Sequence, residues 1–474
     1  MRYLRGCLVW ISFWAIILPV MAFANRETEI NAALQKTEAQ RLAYEYAQNL
    51  HQKISTEKET YEKAPKFWDG LSLHQAGSLK NETAYRIVGR KQWTKIKNQI
   101  ILSEAGKFSD ALRFKISGRA YYDLVYNVTH NYPGNVRANQ GGEIELRDTY
   151  LDYSNGPWDI RMGKQQIVWG EAVALFFADV VNARDLREFV LPEFNLIRIP
   201  QTGIDLEYSK DKFHTEIVWL PVLEFDKLGV FGSDFAPLLP LPSTQTPFAI
   251  PQDPIVPKNS FNNSEAGLRL SYLLNEWDFS AFYLHTWNRQ PVMYRTINSG
   301  IYVFSPSYKR LDVYGATFAK EIMDCILKGE FVFNRDDYFS IIDAGNDSGI
   351  VRRNVLNYLI GLDHKFFKKV DVNFQLMQRI IFDYPGMLFG EKESNTSFAL
   401  WIRTSFFNNK IEPEYIFVTS LLELDTMHRP RVSIRLNDSC KLRFGADIFQ
   451  GSSMGVFGRY KKKSRIYSEF TYNF

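Results

Sequence analysis

The stretch GKQQIVWGEA, residues 163–172, places Lys164, Gln165, Gln166, Trp169 and Glu171 among glycines. A phosphate loop would need G-x-x-x-x-G-K-[ST] ahead of a helix, so that loop amides cradle the anion and the hydroxyl reaches the metal. Here the lysine directly follows the first glycine, and that chemistry is excluded. A hydrolase elbow would carry its serine in G-x-S-x-G, which the chain lacks. His51, His74, His130, His214, His285, His364 and His428 are scattered, with no H-E-x-x-H and no pair four residues apart. No metal site is expected from that spacing. A Ser or Asp/His site assembled from separate strands stays open in principle. The expectation is nevertheless no enzymatic activity, no cofactor and no metal.

What these polar residues do instead depends on the solvent their strands are built for. MRYLRG, then the apolar CLVWISFWAIILPV, then Ala22-Phe23-Ala24 has the order of a secretory signal peptide, expected over residues 1–24. An uncleaved anchor is the alternative. Residues 25–66 read as an amphipathic periplasmic helix. Ile30, Leu34, Leu42, Tyr46, Leu50 and Ile54 recur at helical spacing, with no Gly or Pro before Pro65. That helix is either solvated or, through residues 25–64, a docking element for a periplasmic protein. Cys325 and Cys440 remain after Cys7, too few for a disulfide framework. The net charge of +4 gives no reason to expect nucleic acid.

From about Gly70 the period is two. The chain is 15% aromatic, with 36 Phe and 25 Tyr, yet its mean hydropathy is below zero. An antiparallel transmembrane β-barrel has that profile, because alternate residues face lipid and aromatics girdle both interfaces. In ALRFKISGRAYYDLVYNV (111–128) the face Leu112, Phe114, Ile116 and Tyr122 opposes Arg113, Lys115, Ser117 and Arg119. The end, RIYSEFTYNF, alternates back from Phe474. It resembles the signal by which Gram-negative outer-membrane barrels meet their assembly machinery. Short turns (SNGPWD, SKDKF, LNEWD, FKKVD, FNNK, NDSCK) alternate with long links at 130–142, 171–200, 221–262, 289–308, 340–352 and 384–395. Short periplasmic turns, long extracellular loops and both termini inside give an even strand number. The expectation is an all-β barrel over residues 67–474 with about 18 strands, 16 as the fallback. A bore of that size suits passage. The proline-rich link at 221–262 either caps the mouth or folds inward.

Charges on a lipid face cost ~2–4 kcal/mol each at midplane, so the polar ladders belong inside. Arg113, Lys115, Arg119, Arg431, Arg435, Lys441, Arg443, Lys461, Lys463 and Arg465 are therefore expected to form a basic lumen wall. The wall either favours anionic solutes or neutralises carboxylates such as Glu143, Glu145, Asp148 and Asp152. Rim cations such as Lys462 suit lipopolysaccharide phosphates. In the opening stretch, Trp158, Ile160 and Met162 fit lipid, but after Gly163 the phase fails. A bulge or kink is expected there. Arg161, Gln165, Trp169 and Glu171 on the strand, with Asp179, Asn182, Arg184, Asp185, Arg187 and Glu188 on the link, form the candidate constriction. The charges of NARDLREF would pair with the strand's polar residues and tuck the link into the mouth. The alternative is a rigid loop anchor without substrate contact.

LRDTYLDY (146–153), DIRMGKQQIVWGEA (159–172) and DVVNARDLREF (179–189) follow one another as in an uncharacterised family of proteobacterial outer-membrane proteins. Its pattern is approximately L-R-E-x-Y-L-D, G-R-Q-x-V-x-W-G-E-A-D, then I-N-P-x-D-L-R-E, and the chain resembles it. NETAYR (81–86) and SGRAYYD (117–123) resemble its upstream strands. Lys164 stands for the usual Arg, Thr149 for a different residue before Tyr, and Ala183 for Pro. The resemblance covers the first half of the mature chain; beyond residue 225 only generic barrel texture is visible. It implies an outer-membrane β-barrel without an established substrate, found beside periplasmic lipid-binding-like proteins and exporters. Transport of hydrophobic or lipid-like compounds is the function this implies. The alternative is a plugged, non-conducting barrel serving as an assembly scaffold or adhesin. The expected partners are outer-membrane lipid and lipopolysaccharide, the assembly machinery through Phe474, and the periplasmic protein above.

Overall fold

The computed structural model describes residues 72–170, 177–237, 249–298, 301–343, 345–422 and 425–474. The expected signal peptide, the helix at 25–66 and Glu171 lie outside these residues. Eighteen antiparallel strands form one sheet. They are β1 Ser72–Arg86, β2 Gln92–Lys107, β3 Leu112–Asp123, β4 Gly142–Asn155, β5 Trp158–Gln165, β6 Gln201–Lys210, β7 Phe213–Val222, β8 Glu265–Leu274 and β9 Trp277–Trp287. The series continues with β10 Arg310–Ile322, β11 Cys325–Ser340, β12 Ile350–Phe366, β13 Val370–Ile381, β14 Ser394–Thr404, β15 Ile411–Ser420, β16 Asp425–Arg435, β17 Cys440–Gln450 and β18 Arg465–Asn473. Each strand pairs with its sequence neighbour. The ring closes where β1 meets β18, from Ser78 opposite Asn473 to Arg86 opposite Arg465. Phe474 and Gly77 then exchange two backbone hydrogen bonds, 2.8 and 3.0 Å. Closure leaves no terminal strand with bare amides, which a lipid environment demands.

Alternation decides the faces. On β3, Ile116 and Tyr122 are exposed outward while Ser117, Arg119, Tyr121 and Asp123 are buried inward. The strand expected to run to residue 128 stops at Asp123, because Val125–Val128 coils into one helical turn. The Asp123 carboxylate accepts the amides of Ile96 and Val125 and fixes that corner. The link expected as irregular at 289–308 folds into a hairpin, Val292–Asn298 against Ile301–Ser307, joined in parallel by Ala249–Pro251.

At Gly163 φ is +135°. An added Cβ would lie 2.4 Å from the Thr149 carbonyl oxygen, so only glycine fits. The expected bulge is absent: the ladders to β4 and β6 keep their register through Gly163. Register shifts flank it instead, at Ile116/Gly118 between β3 and β4 and at Thr202/Ile204 between β6 and β7.

Candidate functional site

Past Gln165 the chain leaves the wall, and the described residues 166–170 and 177–200 enter the bore. Ile167 and Trp169 turn into an apolar cluster with Ala178 and Val181 of the same loop. The wall contributes Val218, Leu220, Phe282, Leu284, Leu311, Val313 and Val332 to it. These wall residues point inward from β7, β9, β10 and β11. Trp169 is fully buried and its Nε1 donates to Glu216, 2.8 Å. Its place among apolar side chains corrects the expectation of a polar pore-facing cluster. Arg161 and Gln165 also keep other company. Arg161 lies over the Tyr150 ring and 3.6 Å from Asp152, and Gln165 donates to the Arg161 carbonyl oxygen.

The loop is then tied to opposite walls. The amides of Phe177 and Ala178 donate to the buried Glu330 carboxylate of β11, 2.7 and 2.8 Å. Farther on, Glu188 meets Lys95 and, at 2.9 Å, Lys97, both on β2. Strands 2 and 11 are nine apart in a ring of eighteen, so the loop crosses the full bore. Arg429 of β16 donates to the carbonyl oxygens of Val190 and Leu191. Arg443 of β17 reaches Glu193 at 2.9 Å. Within the loop Asp179 accepts from Asn182 and from Arg198, 3.0 and 2.6 Å, and Arg184 donates to the Asp179 carbonyl oxygen. Arg289, paired through both nitrogens with the fully buried Glu265 at 3.0 Å, also donates to the Val181 carbonyl oxygen.

NARDLREF therefore pairs with β2 to β4, not with the polar residues of β5 as expected. Asp185 and Glu143 both receive Arg187, and Arg119 lies 3.7 Å from Asp185. Glu188 stays ionised well below the usual carboxylate range: burial pushes it up, but Lys95 and Lys97 hold it down. Asp185 is likewise lowered, against its burial, by the hydrogen bond from Arg187. The 221–262 link also reaches this loop, through Phe235, while its residues 238–248 lie outside those described. Phe235 packs with Phe189, Phe449 and Tyr460, and Asp234 joins Lys463 at 2.9 Å and also Arg86.

Eight of the ten ladder cations face inward, and each of these has a carboxylate. Arg113 meets Asp152 at 3.2 Å, Lys115 meets Asp148 at 3.7 Å and Arg119 meets Glu145 at 2.9 Å. Arg431 meets Glu414 at 2.6 Å, while Arg435 and Lys441 share Glu412 at 3.7 and 3.8 Å. Arg443 reaches Glu469 at 3.0 Å and Arg465 reaches Asp447 at 2.8 Å. Two members leave the wall. Lys461 and Lys463 sit on a 3-10 helix, Gly458–Lys463, above β18, and Lys461 is exposed. Asp425 caps that helix by accepting the amides of Phe457 and Gly458, which delays the strand to Arg465. Lys80, Glu82, Lys95, Lys97, Arg429 and Glu193 complete the polar side, where the cavity leaves about 60 Å³ of room for water-sized molecules.

Residues 91–377 match a family model described as "Protein of unknown function (DUF1302)". That span runs well past residue 225, and it leaves NETAYR outside. No curated protein matches the chain. Two solved structures from Acinetobacter baumannii are similar. OccAB4 is 11% identical, covers 85% of this chain and 98% of its own, and has a TM-score of 0.50. OccAB1 is 9% identical, covers 87% and 97%, and has the same TM-score. At such identity the likeness is one of fold, a closed porin-like outer-membrane barrel.

Proposed function

Because the chain belongs to this family of unknown function, we propose from the bore itself that it is an outer-membrane transport barrel for hydrophobic or lipid-like compounds. The observation that carries the reading is the divided inner wall. Barrel lumens are ordinarily polar, whereas here β7 to β11 turn Val218, Leu220, Phe282, Leu284, Leu311, Val313 and Val332 inward. An apolar patch, interrupted at β8 where Glu265, Gly267 and Arg269 face inward, opposite a polar wall suits a solute with an apolar body and a polar end. The described residues 166–170 and 177–200 lie between the two and act as the constriction. Among the expected constriction residues, Asp179, Asn182, Arg184, Asp185, Arg187 and Glu188 position the loop. The ladder cations are charge-balanced, so their field favours anions only weakly.

Single-channel recording in planar bilayers tests this. The intact protein should pass a small steady current, rising severalfold on deletion of residues 172–198. No current before deletion and a large one after it would make the loop a plug, and the barrel a scaffold or adhesin.

A further inference from the structure

The outer wall is incomplete between β4 and β5. β3 pairs with β4 up to Tyr122 opposite Gly142. On its other side β4 is paired with β5 only from Thr149 to Asn155. Among the described residues, Gly142–Asp148 thus presents a free strand edge, because β5 ends at Gln165 and β6 begins level with it at Gln201. The edge lies within the apolar band. Leu79, Ile100, Ala120 and Ile144 form one row across β1 to β4, and Leu102, Gly118 and Leu146 lie in the row below. Ile144 is 88% exposed and Leu146 60%, against 49% for Ile116, Leu151 and Met162 elsewhere on the same face. That excess is the mark of a missing neighbour.

Lipid-exposed sheet edges are not tolerated in the hydrocarbon region unless they line a cavity or are covered, since their amides have no other partner. Behind the edge the lining is charged. Glu143 and Glu145 receive Arg119, Arg147, Arg187 and Lys227, with Asp185 beside them. These four cations and three carboxylates leave a surplus of one positive charge. The Asn195 carbonyl oxygen forms the sill, accepting from Arg147 of β4 and, at 3.3 Å, from Gln166 of the departing chain. Outside, a groove of about 980 Å³ runs along Leu79, Ile100, Ala120 and Tyr122 to Ile144, with Arg137 at its lip.

The geometry points to a lateral port in the wall at Gly142–Asp148, through which a single-chain anionic amphiphile moves between the bore and the outer leaflet. This rests on the transport reading and adds the route and the substrate class. The tail lies against Ile144 and Leu146, and the head enters the charged lining. Arg147 latches the sill.

Photo-crosslinking tests the port without relying on transport. The full-length protein is reconstituted in phosphatidylcholine vesicles containing a photoactivatable long-chain fatty acid, and adducts are mapped by peptide mass spectrometry. The port requires adducts at Ile144 and Leu146 and also at 166–168 and 195–198, inside the wall line. Arg147→Ala, which loses charge-assisted bonds to the sill, should raise the inner adducts about threefold and leave Leu151 unchanged. Adducts confined to the lipid face overturn the port, as does a protein–protein adduct at Ile144, which would make the edge a subunit contact. Conductance of the same preparation is read separately. Inner adducts without current keep the port and sink the channel, and current without inner adducts does the reverse.

Discussion

Along β7 to β11 the wall holds the inner loop through packed side chains and three buried carboxylates, Glu216, Glu265 and Glu330, whereas along β16 to β18 and β1 to β4 it holds it through paired charges. The apolar side has fewer cations. Glu330 takes the amides of Phe177 and Ala178, and among the described residues Glu265 has one cationic partner, Arg289, beside the Thr286 hydroxyl and the Trp287 amide. The polar contacts are doubled. Glu188 has Lys95 and Lys97, Arg443 has Glu193 and Glu469, and Asp447 has Arg429 and Arg465. Both halves fix the same loop, but only one of them tolerates the loss of a member.

The largest effect is therefore expected from Arg289→Met. It takes the cation from a fully buried Glu265, which keeps the Thr286 hydroxyl and the Trp287 amide, and breaking a buried pair costs about 3–5 kcal/mol. Urea unfolding in detergent measures it; a loss below ~1 kcal/mol would show that the bore is wetter here than its packing implies. Next comes Trp169→Ala. It empties a fully buried site beside Phe282 and removes one partner of Glu216, which keeps Arg269 at 4.0 Å, at roughly 3 kcal/mol. Limited proteolysis should then cut within 166–200. An uncut loop would mean that the polar half suffices to hold it.

Lys95→Met addresses the doubled side. Glu188 retains Lys97 and Glu82 retains Lys80 at 3.8 Å, so the loss should be about 1 kcal/mol. Removing Lys95 and Lys97 together should cost well over twice that, because shared partners make losses non-additive. Strictly additive losses would dissolve the distinction between the two halves.

The polar half was legible in the sequence and the apolar half was not, for one physical reason. Where lumen and lipid faces differ in polarity, as at Arg113, Lys115 and Arg119, period-two alternation assigns the face directly. Where both faces are apolar it is silent. Val218 and Leu220 point inward and Ile217 outward, yet EIVWLPV reads as one run. Phe282 and Leu284 are hidden in the same way beside Tyr283. Such unbroken apolar runs in a chain that otherwise alternates were the available signal. Glu330 and Glu265 carried none, since a carboxylate on an inward phase looks like any lumen residue until its loop partner is placed. The change near Gly163 was visible as lost alternation. That the strand ends at Gln165 and leaves its neighbour bare required the register.

The smallest expected effect, on acidification, separates the halves by sign. In the polar half Glu188 and Asp185 are pushed up by burial but held down by Lys95 and Arg187. Asp234 is lowered in the same way, against its burial, by Lys463 and Arg86. A depressed carboxyl contributes stability that is whole above its unfolded pKa, here 4.5 for Glu188 and 3.8 for the aspartates, and that is lost as pH falls through the folded value. Asp226, beside Arg184 on the apolar side, is raised by burial. Its contribution is whole below 3.8 and is lost as pH rises through its folded value, so mild acid tightens that corner. Between neutral pH and about pH 5 the melting temperature in detergent should thus hold or rise slightly, and fall only in stronger acid. Asp226→Asn should diminish the rise, Glu391 being raised by burial as well, and leave the fall. A loop that becomes cleavable between about pH 6 and pH 5 would mean that the ion pairs spanning Lys95, Lys97 and Glu188 are screened by water, and that the polar half does not anchor it.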